Sequence, residues 1–158
     1  MKDSLKTGFG FGLTSAIITT LGLMIGLYSG TGSEKAIIGG VITIAIADAL
    51  SDSLGIHISE ESKCDTDPKH IWESTLSTFI AKFVFAMTFA IPIWLIELES
   101  AIIVNIAWGF SLLAVFSYYI SRIRGENPVG IILEHLTIAS AVIVISYLVG
   151  SWVNCTFA

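Results

Sequence analysis

Five apolar stretches, each long enough to cross a bilayer, predict an all-α membrane protein. Three observations carry that fold class. The 158 residues are 54% hydrophobic, with a mean hydropathy of +0.82. Only 13% are charged, about half of what a soluble domain carries. The apolar runs are also continuous, without the two-residue alternation of an outer-membrane barrel strand. A helix of about 20 such residues crosses about 30 Å of hydrocarbon. The formal net charge of −5 speaks against nucleic acid as a partner. Cys64 and Cys155 form no paired motif, so no disulfide framework is indicated.

The elements follow in order. The opening "MKDSLKTGFGFGLTS" does not read as a cleavable signal, because the apolar run after it is too long for an h-region. It becomes the first span, 8–29, which the turn residues of "GTGSEK" end. The second span covers 36–58, and a polar hairpin over 59–70 follows. The third covers 72–96, with Asp67 as N-cap and Pro68 in the first turn, where no donor is lost. The fourth covers 101–120 and is closed by "SRIRGEN". The fifth covers 128–153, and Pro128 suits its first turn.

Lysine and arginine placement sets the expected orientation. Lys2, Lys6, Lys63, Lys69, Arg122 and Arg124 fall on the amino-terminal side, and Lys35 falls on the other. The positive-inside rule then places the amino terminus in the cytoplasm and the carboxyl terminus outside. The first span also carries a glycine ladder, Gly8 and Gly12, then Gly22, Gly26 and Gly30. Small residues every four positions let helices approach closely in lipid. They serve packing within one subunit, a dimer seam or a pore-lining helix. Five helices enclose little interior of their own, so a homodimer with a shared site is expected.

The second span holds the main candidate site. Asp48, Ser51, Asp52, Gly55 and Ser59 recur at helical spacing and predict one polar stripe. Ile42, Ile46, Ala49, Leu50 and Leu54 lie opposite and are expected to face lipid. Asp48 sits near mid-membrane, and Asp52 lies about 6 Å nearer the cytoplasm at 1.5 Å per residue. A charged carboxylate at the bilayer centre costs about 2.5–3.5 kcal/mol. Three neutralisers are available: Lys82 at similar depth in the third span, a proton, and a bound divalent cation, which suits oxygen donors. A static Asp48–Lys82 pair holding two helices together is the structural alternative. Glu134, beside His135 in the fifth span, is a further ionisable candidate for proton coupling, or an interfacial pair that snorkels.

The hairpin gathers His57, Glu60, Glu61, Cys64, Asp65, Asp67 and His70. Carboxylate, imidazole and thiol donors together suit a first-row transition metal. His57, Glu60 and Glu61 are the candidate for a weak cytoplasmic capture site. No CxxC or HxxxH spacing supports a closed site, so a solvated hairpin is the alternative.

The run "GFGLTSAIITTLGLMIGL" followed by "AIIGGVITIAIADALSDSLGIHISEES" resembles the first two helices of the vacuolar iron transporter family. "FAIPIW" is similar to that family's proline-bearing third helix, and "GENPVGIILEHLTIASAVIVISYLVGSWV" to its last loop and helix. The resemblance covers nearly the whole chain. It implies a homodimer of five-helix subunits that moves ferrous iron or manganese out of the cytosol in exchange for protons. It departs from the family pattern at three places. The family's first-helix aspartate falls on Phe11, its second-helix glutamate falls on Ile56, and its metal-binding insertion is reduced to the short hairpin. Asp48 and Asp52 are therefore not the family's ligands. They are expected to serve the same pathway from other positions.

The functional expectation is a multi-pass integral membrane transporter, in the plasma membrane if prokaryotic. Its partners would be the bilayer, a second copy, a divalent cation and protons, with no permanently bound cofactor. The alternatives are a transporter of another substrate on the same fold and a non-transporting scaffold. An enzyme is not expected, because no nucleophile–base constellation is legible.

Overall fold

The computed structural model describes residues 3–64 and 66–157; Lys2 and Asp65 lie outside them. Six helices run in order: α1 (Asp3–Thr31), α2 (Glu34–Glu61), α3 (Pro68–Thr88), α4 (Ala90–Leu95), α5 (Leu98–Arg124) and α6 (Pro128–Phe157). Among the described residues there is no strand. Five segments are long and apolar enough to cross a membrane, with α3 and α4 together forming the third, 68–95.

The break between α3 and α4 has a covalent cause. Pro92 has no N–H to give the Thr88 carbonyl, and its ring crowds that carbonyl. The Phe89 N–H instead closes a tighter turn onto the Ala86 carbonyl at 3.1 Å. The fully buried Asn105 of α5 donates from Nδ2 to the Phe89 carbonyl at 3.0 Å and meets Met24 Sδ of α1 at 3.3 Å. The kink is thus tied to α5, whose Asn105 in turn reaches α1.

Capping, rather than hydropathy, sets the helix ends. Gly32, at φ 58°, turns the chain between α1 and α2, and the Ser33 side chain accepts from the Ala36 N–H at 3.3 Å. Asp67 accepts from the Lys69 N–H at 3.1 Å ahead of Pro68. Gly125, at φ 70°, ends α5 in the left-handed region. Because α2 continues to Glu61 and α3 begins at Pro68, the polar hairpin expected over 59–70 shrinks to residues 62–67.

Helix α1 is the central element and packs against α2, α3, α5 and α6. Glycines make this possible. A Cβ on Gly12 would stand 2.6 Å from the Thr78 carbonyl, and one on Gly8 would stand 2.8 Å from Ser77 Cβ, so α1 and α3 touch backbone to backbone. On another side of α1, Gly22 faces Val142 and Ser146, Gly26 faces Ser146, and Gly30 faces Gly150. The Gly22/Gly26/Gly30 ladder therefore faces α6 of the same chain and stays partly exposed, with Gly22 and Gly26 lining a groove between the two helices. The apolar core that results holds Ile17, Leu21, Met24, Val41, Phe89 and Leu113.

Helix α2 presents four faces in turn. Ile37, Val41, Ala45, Ala49 and Ser53 are buried. Ile42, Ile46, Leu50, Leu54 and Ile58 are exposed at 40–58%, as lipid-facing residues are. Gly39, Thr43, Ala47, Ser51, Gly55 and Ser59 are small and also exposed. Asp48 and Asp52 fall between the small face and the buried face. One expectation is corrected here: Ala49 packs inward instead of facing lipid. Ser51, Gly55 and Ser59 of the polar stripe lie on the exposed side of α2. The close approach of α3 selects the Ala45/Ala49 row as the contact, because only small side chains fit there.

Candidate functional site

The site lies at the middle of three spans. Asp48 falls halfway along α2, Lys82 falls at the centre of segment 68–95, and Ser15 falls near the middle of α1. The Gly8/Gly12 contact brings α1 against α3, and the small Ala45/Ala49 row brings α2 into the same corner. Lys82 can then reach both neighbours from one position.

The Lys82 ammonium is 1% exposed and has three N–H groups to place. One donates to Ser15 Oγ at 2.8 Å. A second makes a short contact with Asp52 Oδ2. The third direction is taken by Asp48 Oδ2 at 2.5 Å, an ion pair that lacks hydrogen-bond alignment. Ser15 passes its own hydrogen to Asp52 Oδ2 at 2.6 Å. Asp52 is thus held twice and Asp48 once. Their side chains remain 21% and 27% exposed, towards the outer surface of α2.

Formal charge gives the site its chemical character. Two carboxylates share one ammonium, leaving one negative charge in excess when all three are ionised. Among the described residues, Lys82 is the cation that pairs with either aspartate. Asp48 and Ser51 also line an open groove of about 610 Å³ between α1 and α2, with Leu23, Leu27, Gly40 and Thr43. Asp48 is therefore reachable from the small-residue face of α2.

The hairpin residues are placed differently. Glu60 is buried and pairs with Lys63 at 2.7 Å and with His70 Nε2 at 3.5 Å. His57 turns to α3, its Nδ1 lying 3.0 Å from Thr75 Oγ1 and its ring edge-on to Trp72. Thr75 spends its hydrogen on the Ile71 carbonyl at 2.7 Å, so His57 Nδ1 is the donor. Glu61 is exposed. The structure does not bring His57, Glu60 and Glu61 onto one point. Among the described residues no group of three or more His, Cys, Asp or Glu side chains is placed to hold a metal. Glu134 is exposed on α6, which packs against α1 and α5. Its neighbour His135 meets Ser117 Oγ at 2.7 Å.

Two functional neighbours were missed in the sequence. Ser15 completes the Lys82–Asp52 network, and its only signal was a hydroxyl at mid-depth in the first span, four residues from Phe11. Asn105 is a buried amide in the middle of an apolar run, the one clue to the clamp on the kink. No family model matches this chain, and no curated protein matches it.

Proposed function

We propose that this protein is a proton-coupled transporter of a divalent cation, and that Asp48 and Asp52 form its mid-membrane site. One observation carries the reading: a pair of carboxylates at mid-span is balanced by a single buried lysine, and one of the two, Asp48, opens onto a groove. An ionisable residue at the bilayer centre is costly and marks an ion or proton pathway by default. A site with one negative charge in excess suits an exchange in which Lys82, a proton and a cation alternate on the same oxygens. Oxygen donors suit a hard or borderline divalent ion, and ferrous iron and manganese are the candidates from the sequence resemblance.

Two carboxylates are too few ligands for such an ion, which takes about six. The exposed small-residue face of α2 supports a second copy as the source of the rest. Lipid-facing positions ordinarily carry large apolar side chains, whereas Gly39, Thr43, Ala47, Ser51, Gly55 and Ser59 leave room for another helix. A homodimer joined there would bring two carboxylate pairs near one axis. The lysine and arginine bias favours a cytoplasmic amino terminus, and the family resemblance makes efflux from the cytosol the proposed direction.

The test is cation flux into proteoliposomes across a panel of divalent ions, with internal pH recorded. Transport of iron or manganese with a coupled pH change supports the reading. Cation movement without a pH change would remove the proton coupling. No movement of any cation would leave a transporter of another substrate or a scaffold, the latter favoured by the enclosure of Lys82 among Ser15, Asp52 and Asp48.

A further inference from the structure

A second charged feature lies away from this site, at the lysine- and arginine-rich end of the bundle. Helices α1 and α5 touch where Gly109 meets Leu21 and Ile17. Nearer the start of α1 and the end of α5, a groove of about 350 Å³ opens between them. Phe9, Phe116, Ile120 and Ile123 line it, and Lys6 and Arg124 stand at its mouth.

The depth profile matches one kind of molecule. Lys6 lies in the first turn of α1, and Arg124 is the last residue of α5, so both cations stand at the ends of spanning-length helices, where a bilayer would place its headgroups. Phe116 lies eight residues earlier in α5, about 12 Å deeper at 1.5 Å per residue. The groove thus joins a cationic mouth at the interface to an apolar floor at acyl-chain depth. Tyr119 adds a hydroxyl to the lining. Arg124 already gives one bond to Glu126, at 2.7 Å. Its guanidinium carries five N–H donors and keeps others for a second acceptor.

We propose that this groove binds one anionic phospholipid, with its phosphate on Lys6 and Arg124 and an acyl chain along Phe9, Phe116 and Ile120. Basic pockets between spanning helices recognise anionic headgroups. An apolar groove with no cations at its mouth would take any lipid tail, whereas here the charge selects the headgroup. The site is independent of the aspartate network, so the two stand or fall separately.

The test is native mass spectrometry of the delipidated full-length protein, titrated with phosphatidylglycerol or with phosphatidylcholine of the same chains. One phosphatidylglycerol should bind on the order of tenfold more tightly than phosphatidylcholine, from two cations near the surface. Lys6→Gln with Arg124→Gln should abolish that preference. Arg122→Gln, which removes the same kind of charge at the same end but outside the groove, should leave it intact. Equal binding of the two lipids to the unaltered protein would overturn the proposal whatever the variants do. So would an equal loss in Arg122→Gln, which would indicate diffuse attraction, or full competition by glycerol 3-phosphate, which would show that the tail contributes nothing.

Discussion

Helix α2 carries a carboxylate–cation cluster at its middle and another at its end, and the two are built on opposite plans. At the end, one carboxylate, Glu60, meets Lys63 and His70. At the middle, two carboxylates meet one lysine. Lys63 is 57% exposed and can turn to water, whereas Lys82 is 1% exposed and has nowhere else to go. Nearly the same side chains thus serve as a helix-end tie in one place and as an unbalanced site in the other. The depth in the membrane and the ratio of charges make the difference, rather than the residue types.

The largest test of that contrast is Lys82→Met. It leaves two mid-membrane carboxylates without their ammonium, and loss of a buried partner costs about 3–5 kcal/mol. Thermal unfolding in mild detergent should show a large loss, or no folded protein. Asp48→Asn should be far milder, because Lys82 keeps Asp52 and Ser15 as partners. The structural alternative from the sequence, a static Asp48–Lys82 pair, implies instead that Asp48→Asn strands the lysine. Equal losses in the two variants would mean that Asp52 does not hold Lys82.

The next effect is in packing. A Cβ on Gly12 meets the Thr78 carbonyl at 2.6 Å, so Gly12→Ala must push α1 from α3. Overpacking of this kind costs about 1–3 kcal/mol. It should also break the Ser15–Lys82 hydrogen bond and so impair the middle cluster while sparing the end one. Comparing its melting temperature with that of Gly26→Ala, where the nearest atom is 3.6 Å away, gives the control.

The smallest stability effect belongs to Glu60→Gln. Its partner Lys63 is largely exposed, so the loss should stay below about 1 kcal/mol, with transport unchanged. A transport defect there would restore the hairpin as a capture site. Orientation has its own check. Cys64 and Cys155 are both exposed, and a membrane-impermeant thiol reagent should label them from opposite sides. Labelling from the same side would break the five-span topology.

The spans were legible because continuous apolar runs depend on composition alone. Lys82 was legible as a partner for the aspartates because depth can be counted along a helix. The faces of α2 were not. Asp48, Ser51, Asp52, Gly55 and Ser59 read as one stripe with Ala49 opposite it. The stripe instead splits between an exposed small-residue row and the aspartates beside it, while Ala45 and Ala49 are buried in contact with α3. That contact depends on Gly8 and Gly12, and a glycine ladder does not name its partner helix. Gly22, Gly26 and Gly30 had the same ambiguity, and α6 faces them. Ser15 was illegible for a related reason: one serine in an apolar helix has a meaning only once its neighbours are known.

The central claim is that Asp52 carries the coupled ion. The direct measurement is cation-driven pH change in proteoliposomes holding Asp52→Asn beside the unaltered protein. The amide keeps the shape of the side chain and the Ser15 contact while removing the charge. The account predicts a folded protein that elutes like the original and moves neither cation nor proton. Cation and proton movement at the original rate would contradict it, and would shift the pathway away from the aspartate pair.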